Sequence, residues 1–77
     1  MSYGYSQQLA ERNRTANGKL LGVALGRVCI RYDIPVTTVA KTLKVTRATV
    51  YNWFAGTHAP HIKYSDKIKE LIEKYRG

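Results

Sequence analysis

Apolar residues along this chain fall at helical spacing, and no stretch shows the strict alternation of a half-buried strand. Leu21, Leu25, Val28 and Tyr32 form one stripe and predict a first firm helix over residues 17–32. Asp33-Ile34-Pro35 then punctuates the chain, because the residue before a proline is pushed out of helical geometry while proline itself suits a first helical turn. A second helix is therefore expected from near Pro35 through Leu43. Lys44-Val45-Thr46 reads as a short turn in which Thr46 caps a third helix, running to about Ala55. Gly56 closes that helix as a residue able to adopt left-handed geometry. Residues 57–61 are a loop punctuated by Pro60. A last helix over residues 65–75 starts at Ser65 as its cap, with Asp66 favourably placed beside it, and buries Ile68, Leu71, Ile72 and Tyr75. The expected fold class is all-α, a compact domain of four to five helices.

Two features qualify this pattern. Gly18, Gly22 and Gly26 recur every four residues and share one helical face. Each costs about 1 kcal/mol relative to alanine in a helix interior. Either a neighbouring helix approaches closely there or the glycines merely weaken the helix. Residues 1–16 are polar, with Tyr3 and Tyr5 among Gln7 and Gln8, and lack a hydrophobic period. They read as a tail or arm, with Ser6 placed to cap a short helix through Gln8, Leu9 and Ala10. Residues 17–77 carry the packed domain.

Seventy-seven residues suit one domain with a modest core. Thirteen Lys and Arg against five Asp and Glu give a net charge of +8, which favours a polyanionic partner, nucleic acid or an anionic membrane surface. The charge is uneven: no acid occurs between Ile34 and Ser65, where Lys41, Lys44, Arg47 and Lys63 fall. The middle of the chain is where a polyanion would be met. Cys29 is the only cysteine, which excludes an intrachain disulfide and a cysteine-based zinc site, and its apolar surroundings predict burial. His58 and His61 have no Cys or carboxylate beside them, so no metal site is expected. No nucleophile has an evident base, and no glycine-rich phosphate loop occurs, so neither catalysis nor a cofactor nor a small-molecule ligand is expected. The first residues lack a signal-peptide core, and the longest apolar run, Leu20 to Ile30, is interrupted by Arg27 and too short to span a bilayer. A cytoplasmic protein without a membrane partner is expected.

The informative stretch runs from Val36 to Gly56, VTTVAKTLKVTRATVYNWFAG. Val39, Leu43, Val45, Val50 and Trp53 suit two short helices packed across a tight turn, with the small Ala40 where the helices cross and Val45 plugging the angle. This leaves the outer face of the second helix free to enter a major groove. The stretch resembles the Cro and lambda-repressor-like helix-turn-helix family of bacteria and phages. The family's apolar-Ala, apolar, apolar-Thr, apolar and Trp positions are met by Val39-Ala40, Leu43, Val45-Thr46, Val50 and Trp53, followed by Gly56 and Pro60. The resemblance extends from about Leu20 to Ile72. Lys44 stands where the family usually has glycine, and Phe54-Ala55 stand where it often has charged residues. A lysine in left-handed geometry costs on the order of 1 kcal/mol but could reach a phosphate. Phe54 is expected to pack against the last helix.

A rotation of about 100° per residue turns Ala48, Asn52 and Ala55 away from the inward Val50 and Trp53, with Thr49 and Tyr51 flanking. Arg47 in the first turn suits guanine's two major-groove acceptors, Asn52 suits adenine's donor and acceptor, and Ala48 suits a thymine methyl. Tyr51 could touch either a base or a phosphate. The resemblance supports Arg47, Ala48, Tyr51 and Asn52 as the four base-contact positions. Thr37, Thr38, Lys44, Thr46, Thr49, His58 and Lys63 are the candidates for phosphate contacts, and Arg12 and Arg14 for an arm along the duplex. The resemblance implies a transcription regulator, a repressor of Cro type, binding double-stranded DNA as a homodimer on half-sites about 34 Å apart. The alternative is a DNA-binding adaptor such as an antitoxin or a small terminase-like packaging component. Either the closing helix or the glycine face of the first helix would supply the dimer surface.

Overall fold

Helix α2 (Leu21–Arg31) lies at the centre of the computed structural model, which describes residues 5–77. Around it pack α1 (Gln7–Thr15), α4 (Arg47–Ala55) and α5 (Ser65–Arg76), while α3 (Val36–Leu43) packs on α4. A single 3-10 turn, Ile62–Tyr64, leads into α5. No strand occurs among the described residues, and the domain is all-α. Leu25, Cys29, Val39, Val50, Phe54 and Ile68 are fully buried and form one core with Val36, Leu43, Trp53 and Leu71. No helix among the described residues is long and apolar enough to cross a membrane.

The segment read as a tail is a docked helix over most of its described length. Ser6 caps α1, its hydroxyl accepting from the Leu9 N–H at 3.0 Å. Two polar side chains tie the segment down. Tyr5 is buried against the Phe54 ring and donates its hydroxyl to the Ile34 carbonyl at 2.5 Å. Asn13, also buried, donates its amide to the carbonyls of Phe54 at 2.7 Å and Val23 at 3.2 Å. Tyr3 lies outside the described residues.

Helix α2 starts at Leu21 and not at the predicted Asn17, because residues 17–20 form a turn held by Leu20 N–H to Asn17 O and by the Asn17 side chain accepting from the Lys19 N–H. Gly18 is therefore outside the helix. The buried face is also rotated from the predicted stripe. It comprises Gly22, Val23, Leu25, Gly26 and Cys29, while Leu21 and Val28 are half-buried and Tyr32 is 46% exposed. Gly22 and Gly26 explain the rotation. A Cβ at Gly22 would sit 2.8 Å from the Trp53 Cβ, and one at Gly26 would sit 2.8 Å from the Phe54 Cγ. Helix α4 thus lies directly on the backbone of α2. The glycines serve close packing and are covered, so they cannot supply the dimer surface expected of them.

Phe54 packs on Gly26 of α2 and on Tyr5, in the core cluster that also holds Ile68 and Leu71 of α5. One further expectation is corrected. Ser65 is already helical and does not cap α5; Tyr64 holds that position without a side-chain cap bond. The 3-10 turn supplies the lead-in instead, capped by the His61 Nδ1 accepting from the Lys63 N–H. On α5 itself Ile68 and Leu71 are buried, and Ile72 and Tyr75 pack partly buried beside them.

Candidate nucleic-acid interface

The turn between α3 and α4 is built by backbone chemistry that the sequence states locally. Lys44 ends α3 in left-handed geometry, φ 57° and ψ 46°, and the Val45 N–H bonds back to the Ala40 carbonyl at 3.0 Å. This closure satisfies the orphan carbonyls of the last helical turn. Thr46 then opens α4: its hydroxyl accepts from the Thr49 N–H at 3.2 Å and bonds the Thr49 hydroxyl at 2.8 Å. Ala40 is buried at the crossing and Val45 packs half-buried against the core. Val50 and Trp53 point inward, with the Trp53 ring 5.4 Å from that of Tyr64. Gly56 ends α4 at φ 79°.

With that face anchored, the other face of α4 is solvent-exposed. Arg47, Ala48, Tyr51 and Asn52 are all exposed, so the four base-contact candidates share one accessible helix surface. The first turn of α4 projects free N–H groups and the positive end of the helix dipole, next to the Arg47 guanidinium. Thr37, Lys44, Thr46 and Arg47 line one open groove of about 580 Å³ with Lys41. Lys41 was not among the candidates, although it sits four residues after Thr37 and three before Lys44, on the same helical face.

A second cleft, of about 340 Å³, lies where α1 meets the exposed face of α4. Gln8 and Arg12 line it together with Tyr51, Asn52 and Thr57. Arg12 therefore joins the site. Arg14 does not: it lies on the opposite flank of α1, pairs with Glu11, and its carbonyl is gripped by Arg27 at 3.2 Å. Gln8 and Thr57 reach the site only through the docking of α1 and the path of the chain after Gly56. Thr57 holds Asn52 through its hydroxyl, 3.2 Å from the Asn52 backbone carbonyl and 3.3 Å from Oδ1. Among the described residues the Asn52 Nδ2 makes no hydrogen bond.

The remaining candidates are less tightly grouped. Thr38 is exposed at the start of α3, and its carbonyl accepts from the Thr42 hydroxyl. Thr49 is half-buried with its hydroxyl engaged by Thr46. His58 is exposed just beyond the end of α4, its N–H on the Asn52 carbonyl. Lys63 is exposed on the 3-10 turn with its ammonium 5.2 Å from the Tyr64 ring centre. Thr38, Thr49, His58 and Lys63 line neither of the two clefts. Among the described residues no three His, Cys, Asp or Glu side chains cluster as metal ligands. The shifted titrations lie in the core, where burial pushes the Cys29 thiol up to about 12 and raises the Tyr5 and Tyr75 hydroxyls.

No protein-family model, no curated protein and no solved structure matches this chain. The functional reading therefore rests on the geometry of these residues.

Proposed function

We propose that this chain is a double-stranded DNA-binding domain that reads base edges in the major groove with the outer face of α4, in the manner of the helix-turn-helix proteins it resembles. The observation that carries the reading is the exposure of Arg47, Ala48, Tyr51 and Asn52 on one face of a helix whose other face is locked by Val50, Trp53 and Phe54. Arg47 takes a guanine and Asn52 an adenine, each by two hydrogen bonds. Lys41, Lys44 and the hydroxyls of Thr37 and Thr46 hold phosphate on one side of the reading face, and Arg12 and Gln8 hold it on the other. The net charge of +8 adds a sequence-independent attraction.

A regulator of transcription, a repressor of Cro type from a phage or a bacterium, is the role we assign to such a domain, acting in the cytoplasm on partly palindromic sites as a homodimer. With the glycine face of α2 covered by α4, the exposed flank of α5 is the remaining candidate for the dimer contact. A binding selection on random duplexes tests the reading. It should return one preferred site, bound with an affinity that falls steeply as salt rises. Recovery of no preferred sequence would leave only non-specific polyanion binding.

A further inference from the structure

A third cleft, of about 270 Å³, opens on the far side of α2 from the reading helix. Arg27, Val28, Arg31, Tyr32 and Arg76 line it, three guanidinium groups with no acid among them. The acids of α5 are elsewhere: Asp66, Glu70 and Glu73 line a separate groove with Lys69 and Lys74. Arg27 is fixed by donating to the carbonyls of Arg14 at 3.2 Å and Ala16 at 3.0 Å. Among the described residues neither Arg31 nor Arg76 forms an ion pair with a carboxylate; Arg31 lies over the exposed Tyr32 ring, 5.6 Å from its centre.

The position of this cleft follows from helical rotation. At about 100° per residue, Arg31 falls half a turn round α2 from Gly22. Helix α4 touches α2 at Gly22, through Trp53, and at Gly26, through Phe54. On α4 the residues opposite Trp53 and Val50 are the exposed Ala48, Tyr51 and Asn52. The cleft therefore lies round α2 from its contact with α4, between α2 and the end of α5, while the exposed face of α4 points away from α2.

We propose that Arg27, Arg31 and Arg76 form a second phosphate-binding face, so that one molecule holds two duplex segments, one on α4 and one behind α2. The inference rests on duplex binding by α4. Guanidinium groups match phosphate oxygens in a two-pronged geometry. Arg27 and Arg31 stand one helical turn apart and present a short charged row along α2. The cleft offers only the half-buried Val28 and the rim of Tyr32 as apolar surface, too little to anchor a folded protein or a peptide side chain. A second copy of this chain would bring its own excess of positive charge against three guanidinium groups, so this cleft is not the dimer contact.

Two-duplex capture tests this. One duplex carrying the selected site is immobilised, the full chain is added, and retention of a second, fluorescent duplex is read. Wild type should retain the second duplex. Arg31→Ala with Arg76→Ala alters only exposed side chains, so the fold should persist by circular dichroism. That variant should keep its affinity for the immobilised duplex within about threefold while losing roughly nine-tenths of the captured second duplex. Lys44→Ala with Arg47→Ala should instead lose the selected site and retain residual salt-sensitive binding, removed in turn by the Arg31 and Arg76 changes. Binding of the first duplex with no capture of the second overturns the second face and spares the α4 reading. Capture unchanged by the Arg31 and Arg76 changes also overturns it. Wild type binding poly-glutamate through Arg31 and Arg76 while capturing no second duplex overturns it in favour of an acidic protein partner. Retention of neither duplex by wild type overturns both readings.

Discussion

The side-chain amide of Asn13 donates to the backbone carbonyl of Phe54 at 2.7 Å, joining α1 to the end of the reading helix. That carbonyl belongs to the last turn of α4 and has no helical partner. Asn13→Leu keeps the volume and removes the donor, leaving the Phe54 carbonyl buried and unsatisfied. The expected cost is about 1–3 kcal/mol. Urea unfolding should show a lower midpoint at unchanged slope, and an unchanged midpoint would mean that water replaces the amide.

Lys44 supplies a prediction in which stability and binding move in opposite directions. Its left-handed φ of 57° strains a side chain and suits glycine. Lys44→Gly should stabilise the fold by about 1 kcal/mol, read as a raised unfolding temperature. The same change removes a charge that the proposed DNA complex places at a phosphate. It should weaken all duplex sequences alike and reduce the salt dependence by about one phosphate contact. A loss confined to one base position would place Lys44 on a base and not on the backbone.

These two sites mark what was legible in the sequence. The turn was readable because its signals are local: Thr46 as a cap, Gly56 as a stop, Lys44 at the left-handed position and Ala40 at the crossing each act within a few residues of themselves. The buried face of α2 was misplaced because a stripe of side chains cannot reveal a face whose packing partner is backbone. Gly22 and Gly26 are that face. The docking of α1 was hidden because it depends on polar groups with distant partners, Tyr5 on Ile34 and Asn13 on Phe54. The Ser6-capped helix was legible, but with the segment read as an undocked tail or arm Gln8 could not be placed beside Asn52, and Arg12 and Arg14 could not be told apart.

The glycines of α2 should separate by what each would meet. A Cβ at Gly26 would fall 2.6 Å from the Asn13 Nδ2 and 2.8 Å from the Phe54 ring, and one at Gly22 2.8 Å from the Trp53 Cβ. Alanine at either position gains about 1 kcal/mol of helix propensity but overpacks a filled interface, a cost of roughly 1–3 kcal/mol. Both variants should be less stable than wild type or no better. At Gly18 the obstructing atom is the Arg27 Nη1, the far end of a flexible side chain. Gly18→Ala should be close to neutral in thermal unfolding. Equal losses at all three positions would contradict the packing of α4 on α2.

Cys29 sets a pH dependence. Burial raises its thiol from the ordinary 9.0 to about 12. Below pH 9 the thiol is protonated in both folded and unfolded chains, and its contribution to stability is fully present. Above that the unfolded thiol ionises while the buried one keeps its proton, so stability falls as pH rises towards about 12. The hydroxyls of Tyr5 and Tyr75, also raised by burial, act in the same direction. Comparison with Cys29→Ala isolates the thiol: wild type should lose more stability than the variant between pH 9 and pH 11. Parallel curves would show that the thiol is solvated in the native chain.

In the proposed DNA complex, Asn52 is the residue on which base recognition most depends. Its Oδ1 accepts from the Thr57 hydroxyl at 3.3 Å and keeps a further lone pair for an adenine amino group, while its Nδ2 makes no hydrogen bond among the described residues. Asn52→Ala should cost about 1–3 kcal/mol at a single base pair of the selected site and relax the preference there. Thr57→Val keeps shape and removes only the hydroxyl, so it should blunt discrimination at that same base pair by a smaller amount, with other positions unaffected. Competition titrations against duplexes altered one base pair at a time measure both. If Asn52→Ala weakened every duplex equally, the amide would be gripping a phosphate, and the adenine assignment would be withdrawn.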